Sequence, residues 1–343
     1  MAGPIKVLVV DDSAFVRKVL REILGASPRI QVVDTAKDGL EALERIAALK
    51  PDVVTLDLVM PHLDGIGVLQ ALPAVDAPRV VVVSTSDADS ELGLRALELG
   101  AVDLVHKPTA LATARLYQIS SEIIHKVEMA ASAKPAVATN ALGPRAKPAR
   151  AASSATERIV VIGTSTGGPQ ALTRLLAALP GDLPLPVAVV VHIPVGYTQA
   201  LARRLDHLSA LDVVEAWDGL ELRAGLVVVA RAGMHLRVKR GASQASVGLD
   251  LTPLTTAHRP SVDVLFESAA AEYGAGVLGV VLTGMGDDGL EGSRKIRSAG
   301  GKMLTEAESS CVIYGMPRCV REAGLAHAEV PLEAMAAEIL DWV

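Results

Sequence analysis

The chain has 343 residues, half of them hydrophobic, a formal net charge of −6 and two cysteines. This length suffices for two domains with separate cores, whereas no apolar run approaches the roughly 20 residues that cross a bilayer and no signal peptide is evident. These features predict a cytoplasmic protein without direct membrane insertion. The acidic balance and the 2% content of aromatic residues argue against a nucleic-acid partner, and two cysteines are too few for a disulfide framework.

Residues 1–128 alternate short apolar strands with amphipathic helices, which predicts a doubly wound parallel sheet. The strands are predicted near 5–10, 31–34, 53–56, 80–83 and 102–105. Polar groups follow four of them: Asp11 and Asp12, Asp57, Ser84, and Lys107. The carboxyl ends of parallel strands share one edge, so these side chains should converge there. Each alone is more often a solvated loop residue, but three carboxylates balanced by a lysine predict a Mg²⁺ site for phosphoryl transfer onto a carboxylate.

The segment DLVMPHLDG around Asp57, with the acidic pair before it and the Lys107-Pro108 step after it, resembles a response-regulator receiver domain. The resemblance implies that a histidine kinase supplies the phosphoryl group to Asp57 and that Mg²⁺ is held by the acidic cluster. The implied ligands are Asp11, Asp12, Asp57 and the backbone carbonyl of Val59. Ser84, with Thr85 as the alternative, is the implied switch hydroxyl, acting with Lys107. Leu104 stands where many receivers carry an aromatic switch residue, so this chain departs from the usual ring relay.

The segment 129–156 is rich in alanine and proline and carries four basic and no acidic residues. It has too little apolar bulk to form a core, which predicts a flexible linker between a domain at 1–128 and a domain at 157–343. Four dispersed positive charges do not indicate a specific nucleic-acid arm.

Residues 157–343 also place polar groups after apolar strands, which predicts a second, Rossmann-like α/β domain. A strand at 159–162 runs through a glycine-rich turn around Ser165 into a helix, and such a turn lifts a hydroxyl above the sheet beside backbone N–H groups. Alone, the turn is more often structural or phosphate-binding. A strand at 187–191 ends at His192, and one at 277–282 leads to Asp287-Asp288. Shorter segments near 213–216, 226–230, 236–239 and 247–251 predict an antiparallel extension at one edge.

Ser165, His192 and an adjacent acid thus end three strands of one predicted sheet. A serine hydroxyl needs a base to take its proton, and the imidazole needs a carboxylate to fix its tautomer; we expect that carboxylate at Nδ1. The G-x-S-x-G pattern offers an alternative, an α/β-hydrolase in the chain order Ser165, Asp288, His327. Because no strong strand precedes His327, we favour the order serine, histidine, aspartate.

The segments GTSTGGP, VHIP, HRPSVDVLF, LTGMGDDG and CVIYGMPR together resemble the catalytic domain of the chemotaxis protein-glutamate methylesterases. The resemblance implies hydrolysis of glutamate γ-methyl esters on methyl-accepting chemoreceptors, with release of methanol, and in some members deamidation of receptor glutamines. It assigns Ser165 as the nucleophile, His192 as the base and Asp288 as the orienting carboxylate. The backbone N–H of Met285 would bind the oxyanion, and Thr166 would orient His192. The resemblance implies that residues 157–343 need no metal or cofactor for this reaction.

Two positions depart from that family's pattern. Asp287 stands where many members have asparagine, which leaves a choice between two acids, and the loop at His235 lacks the usual proline and is assigned no catalytic role. We expect a monomeric, phosphorylation-activated serine esterase that acts in chemotactic adaptation. The alternative is a regulator whose output half has lost catalysis and only binds receptor helices or another partner; the intact Ser165, His192 and Asp288 argue against it.

Overall fold

The computed structural model describes residues 3–73, 76–84, 90–107, 119–134, 143, 145, 147, 157–241 and 244–343. The chain forms two compact units, Met1–Ala138 and Thr139–Val343. Both are α/β units built on parallel sheets, as predicted. Thr85, Pro108 and most of the predicted linker lie outside the described residues. Within the described ranges, no helix combines the length and apolar character needed to cross a membrane.

The first unit has a five-stranded parallel sheet with the order β2-β1-β3-β4-β5. Its strands are β1 (Ile5–Val10), β2 (Ile30–Ala36), β3 (Val53–Leu56), β4 (Arg79–Ser84) and β5 (Asp103–His106), and its described helices are α1 (Ala14–Gly25), α2 (Gly39–Leu49), α3 (Gly65–Ala71), α4 (Ser90–Glu98) and α5 (Ser120–Ser132). Right-handed crossovers in this order place helices on both faces. Helix α5 includes residues 129–132, the first four of the predicted linker.

Local chemistry sets the helix starts in this unit. The hydroxyl of Ser13 accepts a hydrogen bond from the backbone N–H of Val16 and so begins α1. Asp38 and Asp64 begin α2 and α3 in the same way. Each start follows a strand end, so the caps direct the chain away from the carboxyl edge of the sheet and leave the strand-end side chains there.

The second unit has a seven-stranded parallel sheet with the order β14-β13-β12-β6-β7-β9-β8, and a separate antiparallel pair, β10-β11. Its strands are β6 (Ile159–Thr164), β7 (Val187–Val191), β8 (Asp212–Glu215), β9 (Leu226–Val229), β10 (His235–Arg240), β11 (Ala245–Asp250), β12 (Val277–Val281), β13 (Lys302–Glu306) and β14 (Ala328–Val330). Its described α-helices are α6 (Gly168–Ala178), α7 (Thr198–Leu208), α8 (Val262–Tyr273), α9 (Leu290–Ser298), α10 (Met316–Glu322) and α11 (Leu332–Trp342), and a 3₁₀ turn spans Gly274–Gly276.

The predicted antiparallel extension is correct for only two of its four segments. Strands β8 and β9 pair in parallel and continue the main sheet from β7, whereas β10 and β11 pair antiparallel. The difference has a physical reason, because all four residues of β9 are buried, which suits a strand covered on both faces. Strand β10 ends in two exposed basic residues, Lys239 and Arg240, and suits a sheet with one solvated face.

The order of the second sheet locates its binding crevice. From β6 the chain moves to β7 on one side, and it later returns to place β12 on the other side. The direction of winding therefore changes between β6 and β12, and in open parallel sheets ligands bind beyond the carboxyl ends of the strands at such a point. Ser165 directly follows β6, which places it at this crevice.

Candidate active site and acidic cluster

The turn after β6 is fixed against the neighbouring strand β12. The backbone N–H of Ser165 and the hydroxyl of Thr164 both donate to the carbonyl oxygen of Thr283, at 3.1 and 2.7 Å. The hydroxyl of Thr283 in turn donates to the carbonyl of Thr166 at 3.0 Å. Gly167 has a φ of 80°, a left-handed conformation that glycine adopts without strain, and helix α6 begins at the next residue. The nucleophile candidate is therefore held rigidly at a strand end.

A buried carboxylate supports this turn, and the sequence interpretation missed it. Glu306, at the end of β13, is fully buried and accepts the backbone N–H of Thr283 at 2.8 Å and the hydroxyl of Ser310 at 2.9 Å. Burial raises its pKa above the ordinary value, although these two hydrogen bonds oppose the change. In the sequence, the position of Glu306 at the end of a short apolar segment was the one feature that could have indicated this role.

His192 and Asp288 are brought together from distant parts of the chain. The backbone N–H of His192 donates to the carbonyl of Thr164, so the residue lies beside the Ser165 turn. Its Nε2 lies 2.9 Å from Oδ2 of Asp288, and the two side chains are only 9% and 11% exposed. A hydrogen bond between two such desolvated groups fixes the orientation of the ring.

Asp288 is ionised and therefore acts only as an acceptor. Its Oδ1 accepts from the hydroxyl of Ser261 and the backbone N–H of Asp263, both at 2.9 Å, and its Oδ2 also accepts from the backbone N–H of Val262 at 2.8 Å. Burial opposes the charge, but the hydrogen bond and charge of His192 and the two backbone donors outweigh it and lower the pKa of Asp288 to about 2. Nε2 of His192 must then carry the proton of the shared bond.

The ring nitrogen that contacts the carboxylate differs from the expected one. We predicted Asp288 at Nδ1, but the structure places it at Nε2, and Nδ1 is buried without a hydrogen-bond partner among the described residues. The first N–H groups of α8 fix the position of the carboxylate, and the His192 ring, which is stacked on His258, contacts that carboxylate through Nε2. Because Nε2 holds the proton, the lone pair available to a serine hydroxyl is on Nδ1.

The loop after β12 lies directly against Ser165. A Cβ atom added to Gly284 would be 2.9 Å from both the Cβ and the backbone N of Ser165, so only glycine fits there. The next residue, Met285, is half-buried, and its N–H has no acceptor among the described residues. The carbonyl oxygen of Thr166 accepts a hydrogen bond from the Thr283 hydroxyl, and the predicted action of Thr166 on His192 stays a prediction.

The structure distinguishes Asp288 from the adjacent Asp287, and His192 from the alternative candidate His327. Asp287 is exposed, whereas Asp288 makes the contacts with His192. His327 lies elsewhere: its Nδ1 accepts the backbone N–H of Met303 at 2.9 Å, and its ring contacts Arg297. The α/β-hydrolase alternative required His327 beside Asp288, and these contacts are incompatible with it.

Two further histidines, His258 and His235, lie next to His192 and Asp288 or to a residue that contacts them. The sequence predicted a role for neither. The ring of His258 stacks on that of His192, with centroids 4.1 Å apart and planes inclined by 20°. His235 is fully buried, and its Nδ1 accepts the backbone N–H of Ser261 at 3.2 Å, so it supports a residue that contacts Asp288. Burial lowers the pKa of His235, which favours the neutral ring that this acceptor role requires. His258 begins the segment HRPSVDVLF, and its place in that segment was the one sequence feature that could have indicated a role at the site.

The first unit brings its strand-end groups together as predicted. Lys107 Nζ lies 2.6 Å from Oδ2 of Asp11 and 2.7 Å from Oδ2 of Asp57, and all three side chains are buried. Burial raises the pKa of Asp11, with Lys107 opposing it. Oxygen atoms of Asp11, Asp12 and Asp57 lie within 4.8 Å of one another. Such a set of oxygen donors fits a hard divalent cation such as Mg²⁺.

The structure also describes Ser84, Val59 and Leu104, the other residues that the receiver resemblance singled out. Ser84 is buried, and its carbonyl accepts the backbone N–H of Lys107 at 2.7 Å. Val59 lies two residues beyond Asp57 with an exposed side chain. Leu104 is buried on β5, and its carbonyl oxygen accepts a hydrogen bond from Lys126 at 2.5 Å. The position predicted to correspond to the aromatic switch residue of other receivers therefore holds an aliphatic side chain packed inside the unit.

Comparisons with known proteins match both units. A family model described as CheB methylesterase matches residues 160–339, and one described as response regulator receiver domain matches 7–118. The protein-glutamate methylesterase/protein-glutamine glutaminase 5 of Myxococcus xanthus is 59% identical over 339 residues, covering 98% of this chain and 97% of that protein. A protein-glutamate methylesterase/protein-glutamine glutaminase of Geobacillus kaustophilus is 44% identical over 344 residues, covering 99% of each.

A solved structure matches the second unit. The CheB methylesterase catalytic domain of Thermotoga maritima is 38% identical, with a TM-score of 0.53, and covers 56% of this chain and 100% of that one. The chain is thus a response regulator in which a receiver domain precedes an enzymatic domain, a hydrolase. It belongs to the CheB methylesterase family.

Proposed function

We propose that this chain is a phosphorylation-activated serine esterase that hydrolyses glutamate γ-methyl esters on methyl-accepting chemoreceptors to glutamate and methanol. The observation that carries the proposal is the bond between Nε2 of His192 and Asp288. Nδ1 of the same ring has no hydrogen-bond partner among the described residues, and His192 directly follows β7, the strand that pairs with β6 beside the Ser165 turn. The names of the similar proteins support the substrate class. The same names support a second reaction at this site, the deamidation of glutamine.

The first half of the reaction forms an acyl-enzyme. The hydroxyl oxygen of Ser165 attacks the ester carbonyl carbon while Nδ1 of His192 takes the hydroxyl proton, and Asp288 stabilises the resulting imidazolium. The N–H of Met285, which has no acceptor within the described part of the chain, would stabilise the negative oxygen of the tetrahedral intermediate. Collapse of this intermediate breaks the bond to the methoxy oxygen, which leaves as methanol with the proton from His192.

The second half regenerates the serine. His192 takes a proton from a water molecule, the hydroxide attacks the acyl carbonyl, and Ser165 leaves with the proton returned by His192. The products are the free enzyme and a glutamic acid side chain, which releases its proton to water to give the carboxylate. A glutamine side chain would follow the same two steps with ammonia as the first leaving group, so one site serves both reactions.

The receiver cluster supports control by phosphorylation. Asp57 is the proposed phosphoacceptor for a chemotaxis histidine kinase, and Asp11, Asp12, Asp57 and the Val59 carbonyl are the proposed ligands of Mg²⁺, which supplies charge neutralisation during the transfer when bound. Lys107 already contacts Asp57 and would pair with the added phosphoryl oxygens, and Ser84 is the proposed switch hydroxyl. Because the proposed phosphodonor is a chemotaxis histidine kinase and the proposed substrates are chemoreceptors, we also propose a cytoplasmic location for the enzyme.

The test is methanol release from a methylated chemoreceptor by the full-length chain, with and without a small-molecule phosphodonor and Mg²⁺. We expect turnover in both cases and a higher rate with the phosphodonor. Typical coupling free energies of about 1–3 kcal/mol correspond to a roughly 5- to 150-fold activation. Binding to the receptor without any methanol release would instead support the output half as a binding module.

A further inference from the structure

Asp288 and Asp263 each accept hydrogen bonds from the first turn of a helix. Asp288 caps α8, which contains Asp263, and Asp263 caps α9, which begins just after Asp288. The carboxylate of Asp288 accepts the backbone N–H groups of Val262 and Asp263 in the first turn of α8. Oδ1 of Asp263 accepts the N–H groups of Gly289 and Gly292, at 2.9 and 2.7 Å, at the start of α9. The two helix starts are therefore joined by a reciprocal pair of carboxylate caps.

This arrangement replaces a cap that α9 lacks. The residue before α9 is Gly289, which has a φ of 102° and no side chain to accept a hydrogen bond. The first N–H groups of a helix need acceptors, and Asp263 supplies one from another element. A Cβ added to Gly292 would lie 3.0 Å from Cα of Asp263, so the two helix starts are already in close contact.

The bond to Gly289 acts on Asp288 directly. The N–H of Gly289 belongs to the peptide group that follows Asp288, so the acceptor Oδ1 of Asp263 fixes the orientation of that peptide. The backbone N–H of Asp263 also donates to Oδ1 of Asp288, on the same carboxylate whose other oxygen contacts His192. Asp263 thus restrains Asp288 through both its backbone and its side chain.

We propose that Asp263 is a positioning residue that keeps the Asp288 carboxylate on Nε2 of His192 through the acceptor Oδ1 of its side chain. This inference rests on the proposed function for its kinetic consequence. A misplacement of about 1 Å in a catalytic group can cost on the order of 100-fold in rate. The role depends on the position of an acceptor and not on its charge, because a neutral carbonyl oxygen accepts the same two bonds.

Three substitutions separate position from charge. Asp263→Ala removes the acceptor, Asp263→Asn keeps an acceptor oxygen in place without the charge, and Asp263→Glu keeps the charge but moves the acceptor by one methylene. The control is Ser209→Ala, because the Ser209 hydroxyl also makes two buried bonds, to Leu176 and Leu211, and Ser209 lies between α7 and β8 with no described contact to His192 or Asp288. All four are compared in the full-length chain by kcat, KM and free energy of unfolding.

We expect Asp263→Ala and Asp263→Glu to lower kcat roughly 10- to 100-fold with KM within about twofold, while Asp263→Asn stays within about threefold of wild type. Ser209→Ala should lose stability without losing kcat. A second readout needs no turnover: the low-field ¹H NMR resonance of the His192 Nε2–H should shift or broaden in the alanine and glutamate variants and persist in the asparagine variant. If Asp263→Ala does not fold, the glutamate and asparagine pair decides.

The proposal is overturned if Asp263→Asn loses as much kcat as Asp263→Glu, because charge would then be the contribution. It is also overturned if both the alanine and glutamate variants keep kcat within about twofold of wild type. An absence of methanol release by the wild-type chain would instead reject the proposed function. The NMR resonance would still test the positioning role in that case.

Discussion

The Asp288 carboxylate receives the Nε2–H of His192, and Nδ1 of the same ring is buried without a partner among the described residues. The pKa of Asp288, lowered to about 2 against the effect of burial, keeps this acid an acceptor throughout the neutral range. One tautomer of the imidazole follows, with its lone pair on Nδ1. A general base for the Ser165 hydroxyl requires such a lone pair.

Replacing Asp288 by asparagine should reverse this tautomer. An amide nitrogen can donate to Nε2, which moves the ring proton to Nδ1 and removes the lone pair that would accept the serine proton. We expect Asp288→Asn to lower kcat by about 10³–10⁴-fold. The control is Asp287→Asn, since Asp287 is exposed and should change kcat only slightly. The reverse ranking in methanol-release kinetics would transfer the orienting role to Asp287.

A methyl group at Gly284 should disturb the nucleophile without touching a titratable group. The added Cβ of Gly284→Ala would lie 2.9 Å from the Cβ of Ser165 and 2.4 Å from the sulfur of Met316, so the Ser165 turn must shift. We expect kcat to fall at least 10-fold, consistent with the sensitivity of catalysis to position. Gly25→Ala is a matched control, because its added methyl meets nothing within 4 Å. Equal kcat in both variants would contradict the described position of the loop.

The charge of Asp263 should make stability depend on pH. Burial first, and then the charges of Asp288 and Glu291, raise its pKa from 3.8 to about 6, against the hydrogen bonds from Gly292 and Gly289. The folded state therefore binds the proton more tightly than the unfolded state, so ionisation destabilises the fold. This cost is absent below pH 3.8, grows as pH rises toward about 6 and is complete above it.

Asp263→Asn removes that cost. The variant should be more stable than wild type at pH 8, by about 1–2 kcal/mol once solvent screening of this partly exposed carboxylate is included, and the difference should shrink as pH falls to 4. Tryptophan fluorescence during urea unfolding is a suitable measurement, because both tryptophans, Trp217 and Trp342, belong to the second unit. A stability difference that does not change between pH 4 and 8 would show that Asp263 does not titrate as described.

Phosphorylation should act through Asp57. We expect Asp57→Ala to keep the basal rate of methanol release and to lose activation by a phosphodonor. If the unphosphorylated receiver inhibits the esterase, a shortened chain beginning near Thr156 should exceed the basal rate of the full-length chain. The reason is that a ligand or modification shifts activity only by interacting differently with two states. A shortened chain no faster than the unphosphorylated full-length chain would contradict inhibition by the receiver.

The parts of the fold that sequence predicted are those with a strong local signal. Continuous apolar runs located β6, β7 and β12, and a polar residue after each run located the candidate site, because parallel strands end at one edge. The same rule predicted that Asp11, Asp57 and Lys107 lie close together, as the two contacts of Lys107 show. Local signals could not give the direction of β8 and β9, since pairing depends on partners distant in the chain.

The remaining features of the site depend on tertiary contacts. The stacking of His258 on His192 and the support of Thr283 by Glu306 join residues far apart in sequence. The ring nitrogen facing Asp288 depends on how α8 fixes the carboxylate, and no residue pattern encodes that orientation. The sequence shows that a glycine, Gly289, precedes α9. It does not show that Asp263, from another helix, provides the acceptor that Gly289 cannot offer.

The most direct test of this account is methanol release by Ser165→Ala, His192→Ala and the double variant, each as a full-length chain on the same methylated chemoreceptor. Groups that act as one unit are strongly non-additive, so each single variant should lose on the order of 10⁴-fold in kcat and the double variant little more. Unchanged tryptophan fluorescence would show that the second unit is still folded. Retention of more than about a tenth of the wild-type rate by Ser165→Ala would contradict the account, because Ser165 would then not be the nucleophile.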